Sequence, residues 1–301
     1  MSAISNDLRG GALAINKPAG ITSHDVVAKI RKLYGTKKVG HTGTLDPMAT
    51  GVLVVLVGRA VKASDALMSG RKKYRAVLCL GMRSDTEDIT GNITYSDAPV
   101  PGKETVLGAI NSFVGDIMQV PPMYSALKSG GRKLVDLARQ GIVVERQARP
   151  VRIYSIAADG DGAEYTLDIE CSKGTYIRTL CADIGEKLGC GAVMGALERR
   201  EACGFEIGDT HTLEEIEKMN PDERLGALVE CEKLFASYPD VTLPPFYSNL
   251  CMNGCEIYQK KIRSSFAVGT LLRVYGDCGF IGVGEVKDYP DGEAIKIKIF
   301  L

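Results

Sequence analysis

The segment most able to carry chemistry is glycine-rich and spans residues 40–51, with the sequence GHTGTLDPMATG. An unperturbed aspartate is ionised at neutral pH, so the carboxylate of Asp46 could act as a nucleophile. Pro47 disfavours the helical region for Asp46, and the flanking glycines allow close backbone approach. A simple turn-forming Asp before a proline explains the local sequence equally well.

Two familiar kinds of site do not fit this segment. A phosphate-binding loop carries a lysine directly after its last glycine, and none stands there. A metal site needs more ligands than His41 and Asp46 supply, and the other histidines are His24 and His211. The nine cysteines are odd in number and form no Cys-x-x-Cys pair, which indicates reduced thiols of a cytosolic protein. We therefore expect no metal.

A second segment with polar groups spans residues 172–178, with the sequence SKGTYIR. It follows a predicted strand and opens a predicted helix that ends at Gly189. Tyr176 and Arg178 therefore lie at the first turn of this helix, beside its positive end. Taken alone, an ion pair at a helix start would explain Arg178, and packing would explain Tyr176 and Tyr74.

Hydrophobic periodicity predicts the elements that position these segments. A capping-box pattern opens the first helix and a glycine closes it. After residue 238, short strands between turn-rich segments predict a small β-barrel. Strands are predicted at 11–16, 52–57, 73–80, 164–171, 270–275, 280–286 and 294–301, and helices at 22–34, 105–114, 133–140 and 177–188.

Charge is balanced overall but divided along the chain. The chain has 301 residues with a formal net charge of zero, and its 45% hydrophobic content is that of a globular protein. Residues 1–75 hold thirteen Lys and Arg against four Asp and Glu, whereas residues 206–233 hold three against nine. This division fits a groove for a polyanion with an acidic back, or two solvated faces that differ in sign. Residues 1–9 have no apolar signal region, and no apolar run could span a membrane, which predicts a cytoplasmic protein.

Several ordered segments together resemble the tRNA pseudouridine synthase B family. The resemblance is strong over residues 11–205, and the tail from about residue 240 is more weakly similar to a small PUA-like barrel. The matching segments are 16–23 (NKPAGITS), 40–51, Lys73-Tyr74, 121–128 (PPMYSALK) and 172–178.

The resemblance implies an α+β pseudouridine synthase fold with a mixed, mainly antiparallel central sheet and a small C-terminal PUA-like β-barrel. We expect a catalytic domain at 1–238, an RNA-gripping insertion at about 124–152, and a PUA-like RNA-binding domain at 239–301. The implied reaction converts uridine to pseudouridine at position 55 in the T-loop of tRNA. It requires no cofactor, no metal and no obligatory protein partner, and we expect a monomer that binds the T-arm.

The resemblance also assigns roles to individual residues. Asp46 is the catalytic nucleophile, and Arg178 holds its carboxylate. Tyr74 and Tyr176 stack on the flipped uracil, Tyr74 also receives the proton lost from C5, and His41 fills the gap that the base leaves. Leu197 packs against the uracil. The implied phosphate contacts are Lys17, Lys128, Arg132, Arg139, Arg146 and Arg149.

One departure and two alternatives remain open. Where the family usually carries basic residues, this chain has Glu198 and Glu201, which puts RNA contacts near these two positions in doubt. A protein that binds or folds RNA without catalysis would use the same basic surface, although binding alone does not require Asp46. A synthase acting on another RNA, with a guide RNA and protein partners, is the second alternative.

Overall fold

A computed structural model describes residues 10–301 as two main sheets with helices packed around them. The strands are β1 (Gly11–Lys17), β2 (Val39–His41), β3 (Thr50–Val57), β4 (Lys72–Leu80), β5 (Met82–Ser84), β6 (Ile93–Tyr95), β7 (Gly115–Gln119), β8 (Lys128–Ser129), β9 (Arg132–Lys133), β10 (Arg149–Asp161), β11 (Glu164–Cys171), β12 (Ala192–Ala202), β13 (Phe205–Glu206), β14 (Val229–Glu230), β15 (Asp240–Thr242), β16 (Ile257–Tyr258), β17 (Leu271–Gly276), β18 (Gly279–Lys287) and β19 (Ala294–Phe300).

The helices are mostly short. The first is closed at both ends as its sequence predicts, since Thr22 forms a capping box with Asp25 and Gly35 adopts the left-handed conformation. The helices are α1 (Ser23–Tyr34), α2 (Ser64–Met68), α3 (Lys103–Asn111), α4 (Leu134–Ala138), α5 (Ile177–Leu188), α6 (Leu213–Lys218), α7 (Pro221–Gly226), α8 (Pro245–Met252) and α9 (Gln259–Ile262).

The central sheet is mixed and mainly antiparallel, which confirms the expected fold class. Its strands lie in the order β14-β1-β3-β12-β4-β11-β10-β7, with β2 and β13 at the side. The β3–β12 pair is parallel, and the other pairs of this sheet are antiparallel. This pairing brings the start of β3 beside the second half of β12, so the segment that precedes β3 lies near β12.

Strand β3 is buried on both faces, as its unbroken apolar sequence predicts. Leu53 and Val55 belong to a core shared with helices α1, α3 and α5. Val52 and Val54 face the other side, where they belong to a second core that includes Val283 of the C-terminal sheet. The C-terminal sheet therefore packs directly on the back of the central one.

The C-terminal sheet has five strands in the order β15-β17-β18-β19-β16 and curls into a half-barrel. Its three longest strands match those predicted from residues 270–301. Its own core is formed by residues such as Leu272, Val274 and Ile295. This confirms the small β module, although the boundary at residues 238 and 239 stays a prediction.

Several elements differ from expectation. Strands β7, β10 and β12 belong to the central sheet but were not predicted. Arg149 and Arg152 lie on β10, where they pair with β7, so the end of the expected insertion is part of the sheet. Residues 1–9 of the expected catalytic domain lie outside the described residues.

The cysteines are free thiols, as expected from their spacing. Within residues 10–301, no group of histidine, cysteine, aspartate and glutamate has the arrangement of a metal site. In the same part of the chain, no helix is long and apolar enough to cross a membrane.

Candidate active site

The loop that carries Asp46 connects β2 to β3 and is fixed against the start of α1. The hydroxyl of Ser23 donates to the carbonyl oxygen of Leu45 at 3.1 Å and accepts from its backbone N–H at 2.8 Å. The backbone N–H of Ala49 donates to the carbonyl oxygen of Asp46 at 3.0 Å. The Asp46 side chain keeps 33% of its surface exposed, so its carboxylate remains open to a substrate.

Arg178 and Asp46 are 132 residues apart in sequence and form a bidentate ion pair. Nε of Arg178 donates to one carboxylate oxygen at 2.9 Å, and Nη2 donates to the other at 3.2 Å. The Arg178 side chain is only 5% exposed, so water does not compete for these donors. Two further N–H groups of Arg178 bind the carbonyl oxygens of Thr86 and Tyr124, at 2.9 and 2.8 Å.

A second carboxylate faces the same guanidinium and was not predicted. Oδ2 of Asp88 lies 3.8 Å from Nε of Arg178, and Asp88 is buried. Its other oxygen accepts hydrogen bonds from Thr86 and from both the backbone and hydroxyl of Thr90. An aspartate flanked by threonines two residues away on each side is a sequence signal that could have indicated this buried, hydrogen-bonded position.

The two tyrosines lie on β4 and at the start of α5, and the charge of Asp46 adds to the rise that burial causes in the pKa of each hydroxyl. Tyr74 points into the core face of β4, and burial raises the pKa of its hydroxyl, with the charge of Arg199 opposing the rise. Tyr176 is half-buried at the start of α5, and burial raises its pKa as well. Both hydroxyls are therefore neutral at physiological pH.

The backbone of Tyr176 is clamped by a buried side chain that was not predicted. Gln119 donates from its amide nitrogen to the carbonyl oxygen of Tyr176 at 3.0 Å and accepts from its backbone N–H at 2.8 Å. Gln119 ends β7 and is 2% exposed. The available sequence signal was a glutamine two residues before the Pro121-Pro122 pair.

His41 and Leu197 lie beside the Asp46 loop on different strands. His41 ends β2, and its Nδ1 accepts a hydrogen bond from the backbone of Gly43 at 3.2 Å. Burial, reinforced by the charge of Arg199, lowers the pKa of His41, so its ring is neutral at pH 7. Leu197 is a buried residue of β12, and its carbonyl oxygen accepts from Thr50 at 3.5 Å.

Lys17 does not have the geometry expected for a phosphate contact. It is fully buried, and its ammonium donates to the carbonyl oxygens of Pro18 and Ile21 at 2.8 Å and of Pro47 at 3.2 Å. An ammonium has three donors, so none is left for RNA. Lys17 instead ties the end of β1 to the loop of Asp46.

The expected RNA-gripping insertion forms a small unit with its own core. Strands β8 and β9 make a hairpin, and buried Leu134 and Leu137 of α4 pack against Met123. The unit is joined to the Asp46 site where Arg178 binds the carbonyl oxygen of Tyr124. Arg146 donates to the carbonyl oxygen of Pro121 at 3.0 Å. The exposed basic residues of the expected insertion are Lys128, Arg132, Lys133 and Arg139 of this unit, together with Arg149 and Arg152 on β10.

The two unusual glutamates on β12 are paired with neighbouring basic side chains. Glu201 lies 2.6 Å from the ammonium of Lys73, and Glu198 lies 2.8 Å from the guanidinium of Arg200. Each pair is partly exposed, so its contribution to stability is small. The glutamates therefore neutralise local positive charge on this strand.

Comparisons with known proteins agree over most of the chain. The model for the N-terminal domain of TruB family pseudouridylate synthases matches residues 31–177, and that for the C-terminal domain of tRNA pseudouridylate synthase B matches residues 178–231. A Clostridium tetani protein named tRNA pseudouridine synthase B is 44% identical over 277 residues, which cover 91% of this chain and 95% of that protein. An Alkaliphilus oremlandii protein of the same name is 43% identical over 281 residues, which cover 92% and 93%.

Solved structures show the same fold. A chain of the crystal structure described as a Cbf5-Nop10-Gar1 complex aligns with a TM-score of 0.72 and 25% identity, covering 97% of this chain and 85% of that one. A chain of an H/ACA ribonucleoprotein bound to a substrate RNA aligns with a TM-score of 0.71 and 24% identity, covering 98% and 86%. The fold, the extent of the match and the identity to curated relatives lead to one conclusion: this chain belongs to the TruB family of pseudouridylate synthases, which are isomerases.

Proposed function

We propose that this chain converts uridine to pseudouridine at position 55 in the T-loop of tRNA, with Asp46 as its nucleophile. The names of its curated relatives support tRNA as the substrate. The observation that carries the role of Asp46 is its bidentate pair with the buried Arg178. This pair orients both carboxylate oxygens while a third of the side chain remains accessible.

The reaction is an isomerisation, so its atoms balance within the nucleotide. The bond from N1 of uracil to C1′ breaks, a bond from C5 to C1′ forms, C5 loses its proton and N1 gains one. As a nucleophile, the carboxylate of Asp46 would attack C1′ or C6. The other route open to it is that of a base, which removes a proton from the sugar. None of these routes calls for a second substrate or a cofactor.

The uracil must leave the stacked T-loop before Asp46 can reach it, at a cost of a few kcal/mol. Stacking on an aromatic ring returns about 1–3 kcal/mol per base, and Tyr74 and Tyr176 are the candidates for this contact. The neutral ring of His41 suits the gap left in the loop, because it adds no buried charge. Leu197 supplies an apolar surface for the base.

The exposed basic side chains of the insertion would bind phosphates of the T-arm. Lys128, Arg132, Arg139 and Arg149 are exposed, whereas Arg146 is half-buried and already binds a carbonyl oxygen. We assign catalysis to residues 1–238 and further RNA contact to the PUA-like module at 239–301. The proposed enzyme is a cytoplasmic monomer that needs no protein partner.

An unmodified tRNA transcript tritiated at C5 of uracil tests this proposal. The wild type should release tritium to water from position 55 only, and Asp46→Asn should bind the tRNA without releasing tritium. Release by Asp46→Asn at the wild-type rate would exclude Asp46 as the nucleophile. Binding without release by the wild type would favour the RNA-binding alternative. Release only from other RNAs would favour the alternative of a synthase that acts on another RNA.

A further inference from the structure

Arg199 is a buried guanidinium at the junction of the elements that build the site. It lies on β12, where it pairs with Gly51 of β3 on one side and with Tyr74 of β4 on the other. It is among the largest fully buried side chains of the described residues. Because water and RNA cannot reach it, any effect on the reaction must pass through the residues that it contacts.

The contacts of Arg199 hold the loop that leads to Asp46. Nε donates to the carbonyl oxygen of Val52 at 2.7 Å, and Nη2 donates to that of Gly43 at 3.0 Å. Nη1 makes a longer contact of 3.5 Å with the carbonyl oxygen of Thr44. A planar guanidinium can serve three acceptors in a fixed arrangement, which the single ammonium of lysine cannot reproduce.

The charge of Arg199 also acts on Tyr74, since it opposes the rise in the pKa of that hydroxyl caused by burial. No carboxylate lies within ion-pair distance of Arg199 in the part of the chain that the structure describes. A buried charge without an opposite partner is costly, and here the dipoles of the carbonyl groups that Arg199 binds compensate for it. Arg199 thus binds the Asp46 loop through its side chain and lies directly opposite Tyr74 in the β12–β4 pair.

We propose that Arg199 is a positioning residue for the isomerisation, which fixes the Asp46 loop relative to the hydroxyl of Tyr74. The proposal rests on the function given above. It assigns Arg199 an effect on the chemical step and none on tRNA binding. A misplacement of about 1 Å can cost on the order of a hundredfold in rate, so loss of the three-carbonyl contact should reduce turnover strongly.

The test compares Arg199→Lys and Arg199→Gln with a matched control. Arg224 binds three carbonyl oxygens in the same way, those of Ile216, Leu33 and Glu217 at 3.0–3.1 Å, but on α7, outside the Asp46 site. Arg224→Lys therefore reports what the loss of such a contact does to folding alone. For each protein we would measure the thermal midpoint, the tRNA dissociation constant, and the single-turnover rate with enzyme in excess.

We expect both Arg199 variants to lose about 10- to 100-fold in single-turnover rate with an unchanged dissociation constant. Arg224→Lys should keep the wild-type rate even if its thermal midpoint falls as far as those of the Arg199 variants. Hydrogen exchange should become faster over residues 40–51 in the Arg199 variants only. Rates within twofold of the wild type, or an equal loss in Arg224→Lys, would overturn the role of Arg199. An inactive wild type would instead overturn the proposed function itself.

Discussion

At the scale of single residues, the resemblance assigns Tyr74 two roles, stacking on the uracil and receiving the proton lost from C5, and these depend on different parts of the side chain. Its ring can stack on uracil whatever the state of its hydroxyl. Burial raises the pKa of that hydroxyl, so at neutral pH it carries a proton. It can therefore take the proton from C5 only if it passes its own proton on. The hydroxyl and the ring can be tested independently by removing the oxygen alone.

Tyr74→Phe should keep the affinity for tRNA and lower the single-turnover rate by about 10²–10⁴-fold, the usual contribution of a positioned acid or base. Tyr165→Phe is the matched control, because Tyr165 is a buried tyrosine of neighbouring β11 whose hydroxyl has no hydrogen-bond partner in the described chain. Removal of an unpaired hydroxyl should be neutral or stabilising. A full rate for Tyr74→Phe would leave Tyr74 a stacking role only.

Lys17 predicts a pH dependence of stability. Burial lowers its pKa from 10.5 to about 8, with the charge of Asp46 opposing. Between about pH 8 and 10.5 the unfolded chain therefore holds this proton more tightly than the folded one, and the contribution of Lys17 to stability rises with pH. Urea unfolding gives the free energy of unfolding of the wild type and of Lys17→Met. The value for the wild type minus the value for Lys17→Met should increase from pH 8 to pH 10. A constant difference would contradict the lowered pKa.

The sequence indicates which residues belong to the site, but it does not indicate which contacts their side chains make. Asp46 and Arg178 both stand in recognisable segments, but nothing local indicates that side chains 132 residues apart form two hydrogen bonds. Lys17 shows the converse, since a lysine in a basic segment is normally exposed, and only the tertiary fold supplies three inward carbonyl oxygens. Asp88 was missed because its partner Arg178 comes from a distant helix.

At the scale of elements, the entry into β3 depends on a close approach between two backbones. Gly51 has a φ of +97°, and a Cβ there would lie 2.3 Å from the carbonyl oxygen of Arg199. No side chain fits without moving β3 away from β12. Since β3 follows the loop that carries Asp46, such a movement would also displace the carboxylate.

Gly51→Ala should therefore destabilise the fold by more than the cost of the backbone conformation, which is about 1–2 kcal/mol. Gly20→Ala is the control for that cost, because Gly20 has a φ of +86° and open space where the Cβ would lie. Urea unfolding of both variants gives the difference. Equal destabilisation would mean that β3 and β12 separate without cost.

Elements whose hydrophobic residues recur with a regular period could be predicted from the sequence, whereas elements without that regularity could not. Strands β4 and β11 alternate buried and exposed residues, and α1 carries both of its caps in the sequence. In strand β12 the alternation is interrupted, because its register against β4 shifts twice. The role of Leu197 was therefore predicted from the resemblance alone, because no strand was predicted around it.

At the scale of the whole molecule, positive charge and the Asp46 site lie in the same part of the chain. The insertion presents exposed Lys128 and Arg139 beside its own small core, whereas residues 206–233 carry an excess of acid. The insertion is tied to the site by the contact between Arg178 and Tyr124. A polyanion held by the insertion would therefore lie next to Asp46, and its affinity should depend on salt.

The double variant Lys128→Gln with Arg139→Gln should bind tRNA more weakly and with a shallower salt dependence. Each lost phosphate contact removes about 0.7–0.9 from the slope of log K against log salt concentration. The matched control replaces Lys218 and Lys233, two exposed lysines of the acidic segment, and should keep the wild-type slope. Filter binding at several salt concentrations gives both slopes. An equal decrease in the salt slope for the two double variants would mean that the tRNA contacts the insertion no more than the acidic segment. The division of charge along the chain would then have no part in binding.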